Sequence, residues 1–367
     1  MIFQTAMTIS RFPTVPFILA IISIPLILIG CVNLFEDENP IAPPFIPIDE
    51  IIPADTVRVD STQTDSASIR HDDFAAFHLP TGLLLSPHID GVWHPQDGHR
   101  LYRIDPEIQS ASLILTRKPN DMGIQWITAA LDGSRFAFTS QDSAGPAGVG
   151  WSWEPVMYVA FMDGSSLTRV AIPSQGIVEA PAFSADGRIA YKISDPAIAD
   201  EIRVDDTRVF SSPYVHAGAP AWGTNRDEIF VPLNPMDPHN STYKSGIYRI
   251  NISSGVAEPI VTADSAYFNS GFPVQYFHGL SISNGRILFF AWHTSYVTAW
   301  LVNTDGSAAR CVSSTTNWNM TSGQLAPGGR YFAYGDPGRN GVYLVDVETA
   351  KEEKMIEPYG KFAWIPR

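Results

Sequence analysis

The 367-residue sequence predicts an all-β fold, a six-bladed β-propeller of four-stranded antiparallel blades, with seven blades left open. Three observations predict it. A hairpin pattern recurs down the chain, it recurs at about the spacing of one blade, and the segments between copies read as two further strands.

The pattern is clearest at 179–194, EAPAFSADGRIAYKIS. Ala182 and Phe183 close a short apolar strand, Ser184 to Gly187 turns the chain, and Ile189 to Ile193 alternates apolar and polar residues as a second strand. Asp and Gly suit such a turn, because an Asx side chain bonds its own backbone and Gly takes φ > 0 at little cost. Further copies are AALDGSRFAF from Ala129, WGTNRDEIFV from Trp222, SISNGRILFF from Ser281 and LAPGGRYFAY from Leu325. The chain ends on FAWIPR, a copy that stops after its first strand. Equivalent positions fall at 129, 183, 222, 281, 325 and 364, on average 47 residues apart.

Between copies lie pairs of strand-like runs, of which 247–261 and 342–356 are the clearest. Val, Ile, Tyr and Phe enrichment at period 2, with Gly and Asp punctuation, argues against a helical repeat of similar length. Residues 74–128 must supply the first blade. Two stretches there, Phe77 to Leu85 and Trp93 to Tyr102, both resemble the hairpin, and 101–105 followed by 112–116 reads as that blade's last two strands. Pairing of the terminal stub with this N-terminal blade would close the ring and hide a strand edge.

These copies resemble the WSPDG-type repeat of TolB-like propellers, and Trp364 to Pro366 resembles the truncated last copy common in that family. The resemblance covers 74–367 and implies a fold more than a function, since propellers host many unrelated activities. It also implies two limits. Neither the hydrolase domain that accompanies such propellers in prolyl-oligopeptidase-type enzymes nor the separate N-terminal domain of TolB has a counterpart in this sequence.

Ahead of the propeller, residues 1–30 hold one charged residue, Arg11, and an apolar run from Pro16 to Gly30. The run is short and interrupted by Pro16 and Pro25, so it reads as the h-region of a secretory signal. It ends on LIGC at Leu28 to Cys31, which resembles the bacterial lipoprotein signal and implies acylation of Cys31. The alternative is a buried cysteine in an uncleaved anchor. Val32 after the cysteine implies, by the same resemblance, the outer membrane. Residues 31–73 are rich in Pro and Ser and carry ten acidic and two basic residues, the composition of an extended, solvated linker. The second cysteine is Cys311, read as a small buried residue on a strand and, with Cys31 acylated, outside any intramolecular disulfide.

The formal charge of −14 leaves about −7 on 74–367, which argues against a nucleic-acid partner. No GxSxG, HExxH, EF-hand or phosphate-cradling motif is present. The Gly-rich stretch 145–150 lies between strands and reads as a loop. His216 and His278 come just before the opening strands of two units and could converge near a central channel with Glu179 or Asn319, either as polar residues at a wet mouth or as metal ligands. Phe183, Trp222 and Trp364 share one repeat position and are expected in the core. Trp151, Trp153 and Trp318 fall outside it.

In a meander blade, the connection between strands two and three and the connection to the next blade emerge on one face. The long insertions fall in those classes: 140–155 with Trp151 and Trp153, 234–246 with Asp237 and His239, 262–278 with Tyr267, Tyr276 and His278, and 317–319 with Trp318. They are expected on one rim, as a ligand face or packed on one another. The expectation is a monomeric, lipid-anchored envelope protein that binds an envelope protein or a glycan without catalysis, cofactor or metal. A metal-dependent lyase or hydrolase acting across the channel is the alternative from another class, and a structural scaffold is the third.

Overall fold

The computed structural model describes residues 81–87, 100–105, 110–116, 123–143, 153–170, 176–194, 199–236, 241–268, 273–315, 323–357 and 359–366. Cys31 and its signal, the linker, Trp151, Asp237, His239, Trp318 and Asn319 lie outside them.

Six antiparallel sheets stand in a ring. The first contains β1 (Gly82–Pro87), β2 (Arg100–Asp105) and β3 (Ser110–Thr116). The second is β4–β7 (Trp126–Ala129, Arg135–Ser143, Trp153–Phe161, Thr168–Val170), and the third is β8–β11 (Ile177–Phe183, Ile189–Ser194, Glu201–Val204, Thr207–Ser211). In the fourth, the inner strand is broken into β12 (Val215–Ala217) and β13 (Ala221–Trp222), both paired with β14 (Glu228–Pro235), before β15 (Gly246–Asn251) and β16 (Ala257–Thr262). Pro220 sits in the gap, where it has no amide to give a ladder. The fifth is β17–β20 (Tyr276–Ser283, Arg286–Trp292, Val297–Asn303, Arg310–Thr315) and the sixth β21–β24 (Gln324–Leu325, Tyr331–Asp336, Gly341–Asp346, Glu352–Ile356).

The last strand, β25 (Gly360–Ile365), leaves the sixth blade and pairs with β1 in register from Gly82↔Ile365 to Pro87↔Gly360. It is the inner strand of the first blade, so the ring closes as expected with six blades, not seven. Of the two stretches that resembled the first hairpin, the one ending at Leu85 supplies the blade's second strand, β1.

The expected hairpin turns are in place. At Ser184 the hydroxyl accepts from the Arg188 amide at 2.8 Å and donates to Asp186 at 2.5 Å, while Gly187 takes φ of 86°. Three further turns use an Asp-Gly-Ser sequence, at Asp132, Asp163 and Asp305, whose carboxylates accept from the Ser134, Ser165 and Ser307 amides at 2.8–2.9 Å. Hydrogen bonds from the hydroxyls of the same serines first, and from those amides second, hold the three carboxyls below the usual carboxylate range. Gly164 is required for a second reason. A Cβ there would stand 1.9 Å from the Ile114 carbonyl oxygen of the neighbouring blade, and its φ is 82°.

The core is a set of layers, each between two adjacent blades. Leu83, Leu85, Ala333, Phe362 and Trp364 fill one, and Leu84, Phe136, Phe138, Ala363 and Ile365 fill the next. Val209, Phe210, Trp222 and Ile229 fill the layer between blades three and four, and Phe230, Phe277, Phe289 and Val302 the one after it. Phe183, Trp222 and Trp364 are buried as expected. Trp222 and Trp364 also donate their indole N–H to the carbonyls of Ala182 and Gln324 on the preceding inner strand, at 2.9 and 3.1 Å. Arg135 and Arg188 lie over Phe183 and Trp222, each one blade on, at 5.7 and 4.9 Å.

Cys311 is half-buried on β20 opposite Trp300, a less buried place than expected. Its sulfur lies 3.5 Å from the Ser313 carbonyl oxygen.

Closure makes a quantitative demand on one side chain. Trp364→Ala removes a buried indole and its bond to the sixth blade, and is expected to lower stability by about 3–5 kcal/mol. Chemical denaturation compared with Leu131→Ala, an exposed residue on a turn, checks it. A Trp364 variant as stable as that control would place the closing interaction elsewhere.

Candidate functional site

Each inner strand starts at the same end of the channel, because every blade runs antiparallel and hands the chain to the next at that end. Starts of first strands, ends of second strands and starts of third strands therefore share one rim. A polar cluster sits there, assembled from the third, fourth and fifth blades.

Glu179 on β8 is directly opposite Lys192 on β9, and Lys192 Nζ lies 3.2 Å from Glu179 Oε2. The same ammonium is 3.3 Å from Asp200 Oδ2, just ahead of β10. Asp200 is buried and accepts the Ala217 amide at 3.0 Å, while His216 Nδ1 on β12 faces the same oxygen at 3.4 Å. Ser194 donates to Glu179 at 2.8 Å. This chain of contacts joins blades three and four across their layer. One half-buried ammonium serves two carboxylates, so the group carries a net negative charge with its cation shared, and the added hydrogen bonds to Asp200 and Glu179 support the partly desolvated pair.

In the fifth blade, Tyr276, His278 and Trp292 group their rings, with His278 and Trp292 centroids 5.0 Å apart. His278 is half-buried. Desolvation first, and the Lys192 charge second, hold its imidazole below the ordinary histidine range. Asn234 at the end of β14 fixes this strand by standing in for a neighbouring backbone. Its Oδ1 accepts from the Phe277 amide at 2.8 Å and its Nδ2 donates to the Phe277 carbonyl at 2.9 Å.

His216 and His278 lie within the inner strands rather than before them, at the rim end of each. What joins them is Lys192. Its ammonium occupies the point between the Glu179 and Asp200 carboxylates, so the arrangement is an ion-pair network with its cation built in. Among the described residues, no group of three or more His, Cys, Asp and Glu is placed to hold a metal ion.

The insertions are less uniform than expected. Residues 140–155 continue the β5–β6 ladder out to Ser143↔Trp153, a lengthened hairpin in place of a loop from residue 140. Asn234 and Pro235 are strand residues. In 262–278, Phe268 is buried edge-on against Trp300 and Phe277, at 4.9 and 5.6 Å, so part of that insertion packs into its own blade. Tyr267 lies in the 3-10 turn at Ala266–Phe268, and Trp153 begins β6. Tyr276 is 44% exposed at the rim. Exposed Trp126, at the start of β4, and Tyr214, just before β12, share that rim and were not singled out from the sequence, because neither sits at a repeated position.

No protein-family model matches the chain, and no curated protein matches it. Similarity appears among solved structures. TolB from Acinetobacter baumannii aligns with a TM-score of 0.58 at 13% identity, over 80% of this chain and 68% of that one. What is shared is the propeller. A chain of a nidogen/laminin complex aligns at 0.54 and 12% identity, over 78% and 98%, and a Mycobacterium tuberculosis puromycin-hydrolyzing peptidase at 0.50 and 14%, over 71% of this chain and 42% of the peptidase. The likeness to TolB-like propellers expected from the repeats therefore holds at the level of fold.

His278 makes stability depend on pH. Its folded pKa is depressed, so the unfolded chain binds the proton more readily, and the contribution is complete above the unfolded value of about 6.5. It is lost as pH falls from there toward the folded value. The melting temperature is expected to drop between pH 7.5 and 5.5, and to drop less in His278→Gln. Equal slopes in both proteins would refute this. Separately, Asn234→Ala leaves two buried backbone groups of Phe277 unbonded and should cost about 2–4 kcal/mol in chemical denaturation. A loss below about 1 kcal/mol would show that the bridge is dispensable.

Proposed function

We propose that this protein is a lipid-anchored propeller of the bacterial cell envelope that binds a partner at the rim where its inner strands begin, without transforming it. The carrying observation is that Trp126, Tyr214 and Tyr276 are exposed around the mouth that also holds the Lys192 network. Rigid, amphipathic aromatic groups on a fixed scaffold suit hot-spot contacts with a protein or stacking on a sugar ring. The opposite rim carries tight turns whose Asp and Ser groups bond each other, and its exposed large side chains, Leu131, Phe161, Leu167 and Val256, are mostly aliphatic. The partner is an envelope protein or a glycan.

The lyase or hydrolase alternative loses support from Lys192, because a metal would have to displace that ammonium from between Glu179 and Asp200. The outer-membrane placement rests on the LIGC sequence and Val32, and the solved TolB relatives add a fold consistent with an envelope protein.

Two experiments test this reading. Crosslinking of the full chain in intact cells, followed by mass spectrometry, identifies the partner. Tyr276→Ala, Trp153→Ala and Trp318→Ala are each expected to weaken its capture about tenfold or more in folded protein. Normal capture by all three, with loss in Leu131→Ala or Phe161→Ala on the opposite rim, would move the binding face. For the anchor, Cys31→Ala should abolish incorporation of a fatty-acid analogue. Unchanged labelling in the variant, or an unlabelled wild type, would overturn the anchor.

A further inference from the structure

Lys361 is the second residue of β25, at the rim end of the inner strand of blade one. Burial pushes its ammonium below the usual lysine range. The residue is half-buried, and among the described residues its ammonium makes no hydrogen bond and no ion pair. It faces the Trp126 ring of blade two, with Nζ 5.9 Å from the centroid. That is the outer limit of a cation–π contact, too long to replace lost hydration. The setting is unusual for this chain. Asp and Glu outnumber Lys and Arg by 38 to 24, and at the same mouth Lys192 is given two carboxylates. A desolvated cation without a counter-charge is costly. An anion supplied from outside, beside the exposed indole, would offset that cost.

We propose that Lys361 and Trp126 form a subsite for a carboxylated sugar, the carboxylate meeting Nζ and the ring lying on the open indole face. The proposal rests on the binding role given to this rim and narrows its ligand to an acidic glycan. Three features favour a sugar over a bare anion or a peptide end. Trp126 is 38% exposed and presents a flat apolar surface beside the charge. A pyranose has an apolar face to match it. The charge required is a single negative one, because one ammonium is unpaired there while the Glu179 and Asp200 carboxylates across the mouth oppose a multiply charged group.

The test uses the full chain with sodium glucuronate, glucose, sodium acetate and a peptide with a free C-terminal carboxylate, read by saturation-transfer NMR and titration. Glucuronate is expected to bind, with glucose and acetate each at least about tenfold weaker. Lys361→Gln should lower glucuronate affinity about tenfold, the scale of one charge-assisted hydrogen bond, and Trp126→Ala should abolish transfer to the ring protons. Lys361→Met, expected to melt no lower than wild type, guards against a folding artefact. Acetate or the peptide binding as well as glucuronate overturns the sugar assignment, and unchanged affinity in both lysine variants overturns the site. If glucuronate fails while the Tyr276 and Trp153 variants still lose capture of their partner, this proposal falls and the rim's binding role stands.

Discussion

Everything in this fold depends on the fact that a four-stranded blade has two apolar faces and cannot cover either by itself. Each face is buried only by the next blade, so the core is divided into layers and the last layer exists only if the ring closes. Closure is delegated to one strand. β25 completes the sheet of blade one by backbone bonds, while Phe362 and Trp364 face blade six and Ala363 and Ile365 face blade two. A strand with side chains in two layers and a backbone in one sheet couples the two ends of the chain more tightly than a packed helix could. It does so without a free inner edge.

The same requirement explains the contacts that look like decoration around the core. The layers are apolar, but the inner strands meet edge to edge around the channel, where backbone groups of different blades come close without pairing. Side chains bridge them: Trp222 to Ala182, Trp364 to Gln324, Gln324 to Phe362, Ser281 to Leu325 and Asn234 to Phe277. Each satisfies a group that a continuous sheet would have satisfied. Two buried hydroxyls among the described residues escape this rule, those of Thr139 and Tyr191. Tyr191, fully buried against Met157 and Val178, has no partner for its hydroxyl, and burial pushes its pKa up to about 12.

How much of this was legible in the sequence follows from the range of the interactions involved. Turn chemistry acts over four or five residues, so the hairpins at Asp132, Asp186, Asn284 and Gly328 could be read directly, and their spacing gave the blades. The shared burial of Phe183, Trp222 and Trp364 followed from periodicity. Glu179, His216 and His278 could be placed toward one end of their inner strands because each lies a few residues ahead of a repeated hairpin. Lys192, Asp200, Asn234, Trp126 and Lys361 were missed because their partners are set by folding: those of Asn234, Trp126 and Lys361 lie on another blade more than 40 residues away, and those of Lys192 and Asp200 lie 8 to 17 residues away across strand pairs and blades. No local pattern distinguishes Lys192 with two carboxylates from Lys361, which has none among the described residues. The length of the β5–β6 hairpin was missed because its ladder continues through Ser, Gln and Asp, which carry no strand signal.

The two rims divide the work of the molecule. On the side of the hairpin turns, Asp132, Asp163, Asp186 and Asp305 are each tied to a nearby serine, and the turns are short because their geometry is set by those bonds and by Gly. Substitution there mainly affects how the strands are joined. On the other side, successive blades are connected and strands two and three are joined, so variation in length does not disturb the register of any sheet. Polar and aromatic side chains at strand ends on that side are held by rigid strands yet open to the mouth. The Lys192 network and the Lys361–Trp126 pair both occur there, on strands two to three residues from the rim, where position is fixed by the sheet and chemistry is free to vary. A propeller that acts by binding would concentrate its uncompensated groups in that zone, and Lys361 is such a group.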